Sequence, residues 1–373
     1  MQLVARKGNA MTRRTVLQLS GTSAAASLAS LPFRVAARGE PRLQLLRQHE
    51  TPVLTKNHPD AAGIKYGFEG GCVVKLGSTY HLFTSEMAGD PIWVKMRLGY
   101  WSSGDGLRWK RIATLFTSSG EFEGKDPRAS LWSPLPVFDE TDSRWNLFYV
   151  AYRAAPSTGG RFMLNHGGEI WRAVSRIRGA GGIGGPYQDV GVVLKPGPDS
   201  DAWEGLQGTD SFCPYRVGRE WRALYGSAKT QVMPIEYWWV GLASAPAIGG
   251  PWRRVSVLNP VRIESVFIEN PIVEALPDSG YLCVYYSNVP DTIGYAFSAD
   301  GMHWNSGHSL QVQLRQGSWA HDVRTPLGLV HERGNEYRIF YTGFESEPNW
   351  ESLLRGKGLD TSCATGLARV ALE

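Results

Sequence analysis

Apolar and polar positions along the chain repeat as one unit: a Gly- or aromatic-led strand, a small residue, Ser, then a turn. The copies are Leu98-Gly-Tyr-Trp-Ser-Ser, Ile170-Trp-Arg-Ala-Val-Ser, Val240-Gly-Leu-Ala-Ser, Ile293-Gly-Tyr-Ala-Phe-Ser and, last, Thr365-Gly-Leu-Ala-Arg-Val. Two copies run on into matched turns, Ser103-Gly-Asp-Gly-Leu-Arg-Trp109 and Ser298-Ala-Asp-Gly-Met-His-Trp304. Asp-Gly supplies the positive φ angles of a hairpin turn, and the Trp covers the next strand. Two others run instead into Ile183-Gly-Gly-Pro-Tyr187 and Ile248-Gly-Gly-Pro-Trp252.

Before each copy lies a strand rich in Tyr and Phe, from Thr79-Tyr-His-Leu-Phe-Thr84 in the first to Tyr337-Arg-Ile-Phe-Tyr-Thr342 in the fifth. Before that comes a strand of smaller residues, such as Gly70-Gly-Cys-Val-Val74 or Asn270-Pro-Ile-Val273. A unit of three or four antiparallel strands over roughly 50–70 residues is the anatomy of a propeller blade. The expected fold is therefore all-β, a five-bladed β-propeller. The third strand of the fifth unit falls almost at the C-terminus, so the segment around Leu43 to Leu54 is expected to close the last blade. No linker or change of composition splits the ring, and residues 38–373 read as one domain.

The 14 Trp, 15 Tyr and 13 Phe with 43 Gly and 22 Pro suit many short strands and tight turns. A formal net charge of only +4, with no long basic run, argues against nucleic acid as a partner. Residues 1–37 read as a signal peptide. Thr12-Arg13-Arg14-Thr15-Val16-Leu17-Gln18 precedes an Ala/Ser-rich apolar stretch from Leu19 to Leu31, and Val35-Ala36-Ala37 offers a cleavage site. The paired arginines resemble the bacterial twin-arginine export signal, which implies a periplasmic or secreted protein; a disordered basic tail is the duller alternative. No apolar run long enough to span a membrane comes after it. Cys72, Cys213, Cys283 and Cys363 lack CxxC spacing, so buried thiols are expected rather than a zinc site, and any disulfide pairing is illegible.

In a propeller the innermost strands line a central channel, and their starts converge at one mouth. Those starts are Glu69 in Gly67-Phe-Glu-Gly-Gly, Ser133 in Leu131-Trp-Ser-Pro, Asp210 in Gly208-Thr-Asp-Ser-Phe, Glu269 in Phe267-Ile-Glu-Asn-Pro, and His321-Asp322 in Trp319-Ala-His-Asp-Val-Arg. Any one carboxylate there can simply bond to loop amides. Their shared register argues for more, because clustered carboxylates push each other's pKa values apart and so divide acid from base. Asp105 and Asp300 are expected to be turn residues.

The order of these inner strands resembles the five-bladed glycosidases, chiefly glycoside hydrolase family 43, with families 62, 32, 117 and 130 as relatives. Glu269-Asn270-Pro271 is similar to that family's acid motif, and Asp210 stands where it has the Asp that tunes the acid. Glu69 stands in place of its Asp base, a departure in side-chain length. His321 resembles a fifth-blade His that sits near the channel axis, sometimes beside a calcium or sodium ion; no other cofactor is implied. Lys125-Asp126-Pro127-Arg128 resembles the Arg-Asp-Pro motif of family 32 but falls early in blade two. The Ser-x-Asp-Gly-x-x-Trp turns resemble sialidase Asp-boxes, without six blades or an arginine triad.

The resemblance implies hydrolysis of a glycosidic bond in a plant or microbial saccharide. Glu269 would protonate the leaving oxygen, Asp210 would keep that proton in place, and Glu69 would activate a water, giving inversion. Trp132, Phe68 and Trp319 are the candidate sugar-stacking residues, and Arg324 the candidate ligand of a hydroxyl or substrate carboxylate. Packing between blades is an equal reading for the aromatics. The rival readings are a non-catalytic carbohydrate-binding propeller and a glycoside phosphorylase. The latter needs a phosphate-binding cluster for which only His321 and Arg324 offer themselves.

Overall fold

The computed structural model describes residues 41–156, 164–228, 238–277, 280–287, 289–312, 319–354 and 357–373. The expected signal peptide and parts of two long inter-strand loops, 153–168 and 231–237, lie outside the described residues. Nearly all regular structure is β, with a short α-helix at Trp350–Leu354. No helix among the described residues is long and apolar enough to cross a membrane.

Among the described residues, twenty strands fall into five sets of four. The first set is β2 (Gly67–Leu76), β3 (Thr79–Met87), β4 (Met96–Ser103) and β5 (Lys110–Thr117). The second is β6 (Ser130–Asp139), β7 (Arg144–Ala154), β8 (Asn165–Arg178) and β9 (Tyr187–Leu194). The third is β10 (Asp210–Val217), β11 (Glu220–Ala228), β12 (Trp238–Ala245) and the two-residue β13 (Arg253–Arg254). The fourth is β14 (Glu269–Ala275), β15 (Tyr281–Tyr286), β16 (Thr292–Ser298) and β17 (His308–Gln311). The fifth takes β18 (Asp322–Arg333), β19 (Glu336–Phe344) and β20 (Cys363–Leu372) from the C-terminal end and β1 (Leu43–Gln48) from the other. Within every set neighbours pair antiparallel in chain order, β1 lying against β20 with Leu43 opposite Leu372. A single parallel bridge, Gly67 to Cys363, joins the first and fifth sets into one eight-stranded sheet.

The first strands β2, β6, β10, β14 and β18 are neighbours in that order, and β18 returns to β2. Between sets the aromatic second strands supply the core. Phe148, Tyr225 and Trp252 meet between the second and third sets, and Tyr285, Leu242 and Ile268 between the third and fourth. The four cysteines are buried free thiols.

The matched turns have a shared job. Each turn between third and fourth strands seats on the preceding set. In the first set the Asp105 carbonyl accepts from Arg338 Nη1 of β19 at 2.6 Å, and Trp109 lies edge-on to Phe340. In the fourth, the Gly301 carbonyl accepts from the Tyr215 hydroxyl of β10 at 2.7 Å, and Trp304 lies edge-on to Tyr215. Ile183 of the second set packs with Leu98 and Tyr100 of β4, and Ile248 of the third with Phe148 of β7. At Gly184 a Cβ would stand 2.7 Å from the Tyr100 ring, so the close seat requires glycine there. Asp105 and Asp300 are turn residues, as expected. Each accepts two backbone N–H groups and a serine hydroxyl within its own turn, and these bonds hold Asp105 far below the usual carboxylate range.

The fifth set has β1 where the others have a chain-continuous fourth strand. Removing the chain through Glu50 strips β20 of that partner and leaves an unpaired edge. The truncated protein is expected to unfold several degrees lower and to aggregate more readily; an unchanged unfolding midpoint in a thermal melt would show that β1 is dispensable.

Candidate active site

Each first strand carries an irregularity at one register. In β2 the pairing slips between Glu69 and Gly71, in β6 between Trp132 and Leu135, in β10 between Asp210 and Phe212, in β14 between Glu269 and Ile272, and in β18 between Val323 and Pro326. In four of them the next residue is left-handed: Gly70 (φ 70°), Ser133 (φ 51°), Ser211 (φ 26°) and Asn270 (φ 50°). Such bulges bend a strand and re-aim a side chain. At Gly70 a Cβ would meet Ser133 Oγ at 2.8 Å, so neighbouring bulges press together there. Ser133 cross-links them further: its N–H donates to Ser85 Oγ at 2.8 Å, and its hydroxyl to Asn270 Oδ1 at 3.0 Å.

The residues before the slip are Glu69, Trp132, Asp210 and Glu269, and the slip in β18 contains Arg324. Two sequence expectations are thereby corrected. In the second set the equivalent position is Trp132, with Ser133 serving as the bulge. In the fifth, Arg324 is the group that bonds to Glu69, with Asp322 close by, and His321 is not part of that contact. His321 is exposed, and among the described residues no three His, Cys, Asp or Glu side chains converge as a metal site, so His321 has no ligand set there. Phe68 is also corrected: it is fully buried and edge-on to Trp101, with no face to offer a sugar. Trp319 stacks on Tyr341.

Glu69 is buried, and its Oε1 receives both Arg324 Nε at 3.0 Å and Arg324 Nη2 at 2.9 Å. Its Oε2 is buried with no partner among the described residues. Arg324 lies over the Tyr286 ring at 4.5 Å and near Phe344 at 5.7 Å. Burial opposes its charge, but Tyr286, Glu69, Glu269 and Asp322 outweigh that and keep it cationic.

Asp210 is buried in a cage of donors. Its Oδ1 accepts the Ser211 N–H at 2.7 Å, and its Oδ2 accepts Gln207 Nε2 at 3.4 Å; the Tyr152 hydroxyl also bonds it. Gln207 Nε2 reaches the Tyr152 oxygen too, at 3.2 Å. Burial raises the Asp210 pKa, the hydrogen bonds from Tyr152 and Ser211 pull against that, and Glu69 adds to the rise.

Glu269 is raised as well. Burial among the strand starts pushes its carboxyl up to about 8; Asp210 and Glu69 add to this, and only partly does Arg324 oppose it. Asp322 nearby is also raised, by burial first, with Arg324 opposing. The site thus combines a carboxyl that keeps its proton at neutral pH, a second, hydrogen-bonded carboxyl that burial also raises, and a third clamped by a guanidinium. That division is what acid–base chemistry across one bond needs. Sequence reasoning missed Tyr152 and Gln207, which lie at a strand end and in a loop where nothing in their local pattern marks them. It also missed Trp93.

A separate cavity of about 340 Å3 opens at the far ends of the same strands, among Cys72, Lys75, Cys213, Glu274 and His331. Burial pushes Glu274 up to about 7 there, but none of the three clustered carboxylates reaches that cavity.

The fold is β-propeller-like. It matches a family 117 glycoside hydrolase of the marine bacterium Zobellia galactanivorans with TM-score 0.59 at 13% identity, over 89% of this chain and 90% of that one. An N-acetylgalactosamine deacetylase from F. plautii matches with TM-score 0.55 at 14% identity, over 86% and 95%. A family 32 β-fructofuranosidase of Bombyx mori matches with TM-score 0.51 at 14% identity, over 80% of this chain and 59% of that one. By sequence, an uncharacterized protein of Mycobacterium tuberculosis is 21% identical over 288 residues, 69% of this chain and 86% of that protein. No protein-family model matches the chain.

The raised Glu269 has a consequence independent of turnover. The folded state keeps its proton up to about pH 8, whereas an unfolded chain releases it near the ordinary value of 4.5. Wild-type stability should therefore fall as pH rises between those values. Glu269→Gln cannot ionise, so its stability relative to wild type is expected to increase steadily from pH 5 to pH 8 in urea melts. A difference that stays flat with pH would mean that Glu269 is not held protonated.

Proposed function

We propose that the chain is a five-bladed β-propeller glycoside hydrolase, exported to the periplasm or secreted by a twin-arginine-type signal, and acting on a plant or microbial saccharide. Five sets of four strands with cyclically adjacent first strands support the blade count. One observation carries the enzymatic reading: Glu69, Asp210 and Glu269 occupy one register on three first strands, and Glu269 keeps its proton at neutral pH.

In this reading Glu269 gives its proton to the departing glycosidic oxygen as the bond to the anomeric carbon breaks. A water attacks that carbon from the opposite face, and Glu69 accepts the water's proton. Inversion results. Asp210 is a positioning residue: its negative charge and burial favour the protonated form of Glu269. Arg324 keeps Glu69 in place through Oε1 and is engaged by the protein itself, which disfavours a role as a phosphate clamp. The fold is shared with a deacetylase as well as with hydrolases, so the fold alone does not select the chemistry.

Purified protein would be screened on polysaccharides and on aryl glycosides with poor and good leaving groups. Glu269→Gln is expected to lose about 10²–10⁴-fold on substrates with poor leaving groups. It should lose far less on dinitrophenyl glycosides, whose leaving group needs no proton. Equal losses on both, or none, would remove Glu269 as the acid. A carbohydrate-binding propeller would instead show saccharide affinity with no turnover to lose.

The pH profile gives a second check. The wild-type kcat/KM is expected to fall on the alkaline side through an apparent pKa of about 8, the Glu269 value in the free protein. An alkaline limb that is unmoved in a variant lacking the Asp210 charge, Asp210→Asn, would break the link between the two carboxyls.

A further inference from the structure

The second set is the one whose first strand brings no charged group to the mouth; it brings Trp132. Around this indole the structure has built a support. Trp93, in the loop between β3 and β4, has a left-handed backbone at φ 65°. That conformation is a genuine outlier for a bulky side chain and persists only where the surroundings over-determine it. They do so here. The Trp93 carbonyl accepts three donors from the second set: Ser130 Oγ at 2.5 Å, Trp132 Nε1 at 3.2 Å and Asn165 Nδ2 at 3.1 Å. Its neighbours Ile92 and Val94 are fully buried and anchor the loop on both sides. Trp132 Nε1 is fixed a second time by Ser130 Oγ at 2.7 Å. The two half-buried indoles meet edge to face, with centroids 6.3 Å apart and planes at 75°.

The loop lies at the mouth. Met87, at the end of β3, pairs with Gly67 at the start of β2, so the loop after β3 emerges beside the starts of the first strands. Trp132 is one residue from Ser133, whose hydroxyl reaches the Asn270 side chain next to Glu269. A pinned aromatic corner therefore stands beside the acid on the side without charges. Asn165 Oδ1 is buried next to it without a partner among the described residues, an acceptor suited to a hydroxyl.

We propose that Trp93 and Trp132 form a stacking platform for a second sugar ring, with the apolar face of a neutral pyranose or furanose on the indoles and a ring hydroxyl donating to Asn165 Oδ1. Stacking on rigid indoles gives a large contact area at little cost in side-chain freedom. This rests on the reading of the mouth as a glycosidase site, and it predicts a ligand of at least two rings.

The test uses the Glu269→Gln protein, so that binding is read without turnover. Neutral oligosaccharides of increasing length, each with its constituent monosaccharide, are titrated by calorimetry. Oligosaccharides should bind more tightly than the monosaccharide. Adding Trp93→Gly should weaken oligosaccharide binding about tenfold, roughly what one lost aromatic contact supplies, and change the monosaccharide Kd less than about twofold. Its unfolding midpoint should hold or rise despite the lost side chain, because the strain is gone. Trp93→Phe should retain part of the affinity. Unchanged oligosaccharide affinity in Trp93→Gly overturns the platform while leaving the hydrolase reading intact, provided that Glu269→Gln has abolished turnover. A parallel fall in monosaccharide affinity and in the unfolding midpoint would assign Trp93 a packing role and overturn it as well. A wild-type protein that neither binds nor cleaves any saccharide overturns both.

Discussion

Closure of the fifth set by β1 is the contact on which the other geometry depends. Four sets complete themselves in chain order, and the turn after each third strand seats on the set before it. The fifth takes its fourth strand, Leu43–Gln48, from the other end of the described residues, where it pairs with β20. Every site residue comes from a different set: Glu69 from the first, Trp132 from the second, Asp210 from the third, Glu269 from the fourth, Arg324 from the fifth. Each separation between them is thus set by packing between sets. The Arg324–Glu69 pair spans the junction between fifth and first sets, so it is the contact most sensitive to that closure.

Within that frame the bulges decide where the side chains point. A regular strand would send alternate residues to opposite faces, and a one-residue slip changes which of them reaches the mouth. The left-handed residues at Gly70, Ser133, Ser211 and Asn270 put the same slip in four strands. Only one of the four is glycine. Ser133 and Asn270 are held by a hydrogen bond to each other, and Ser133 also by Ser85 of β3, so the register of these strands leans on their neighbours'.

The same constraint explains how much the sequence could reveal. The five units, their aromatic second strands, the closing N-terminal segment and the shared register of Glu69, Asp210 and Glu269 were legible because periodic apolar patterns and turn residues encode them. Ser133 was legible as a strand start, but not as a bulge, since serine carries no local preference for positive φ. The fifth strand begins at Asp322, as the sequence suggested, but its slip falls later, between Val323 and Pro326, and it is Arg324 that bonds to Glu69. Phe68 looked like a mouth aromatic because it precedes Glu69, yet alternation along β2 sends it into the core against Trp101. Trp93, Tyr152 and Gln207 act through contacts distant in sequence, which a single chain read alone does not display.

The proton's location depends on how donors are shared among the carboxyls. Three acids near one another in a low-dielectric cleft cannot all ionise cheaply. Arg324 directs both Nε and Nη2 at Glu69 Oε1. Asp210 takes the Ser211 amide, Gln207 and the Tyr152 hydroxyl, whose own proton is secured because burial and Asp210 raise it well above the ordinary phenol range. Glu269 is raised first by burial and further by its two acidic neighbours, with Arg324 opposing through space. The hydrogen-bonding residues around Asp210, which touch no scissile bond, therefore bear on where the proton sits by pulling the Asp210 carboxyl back down.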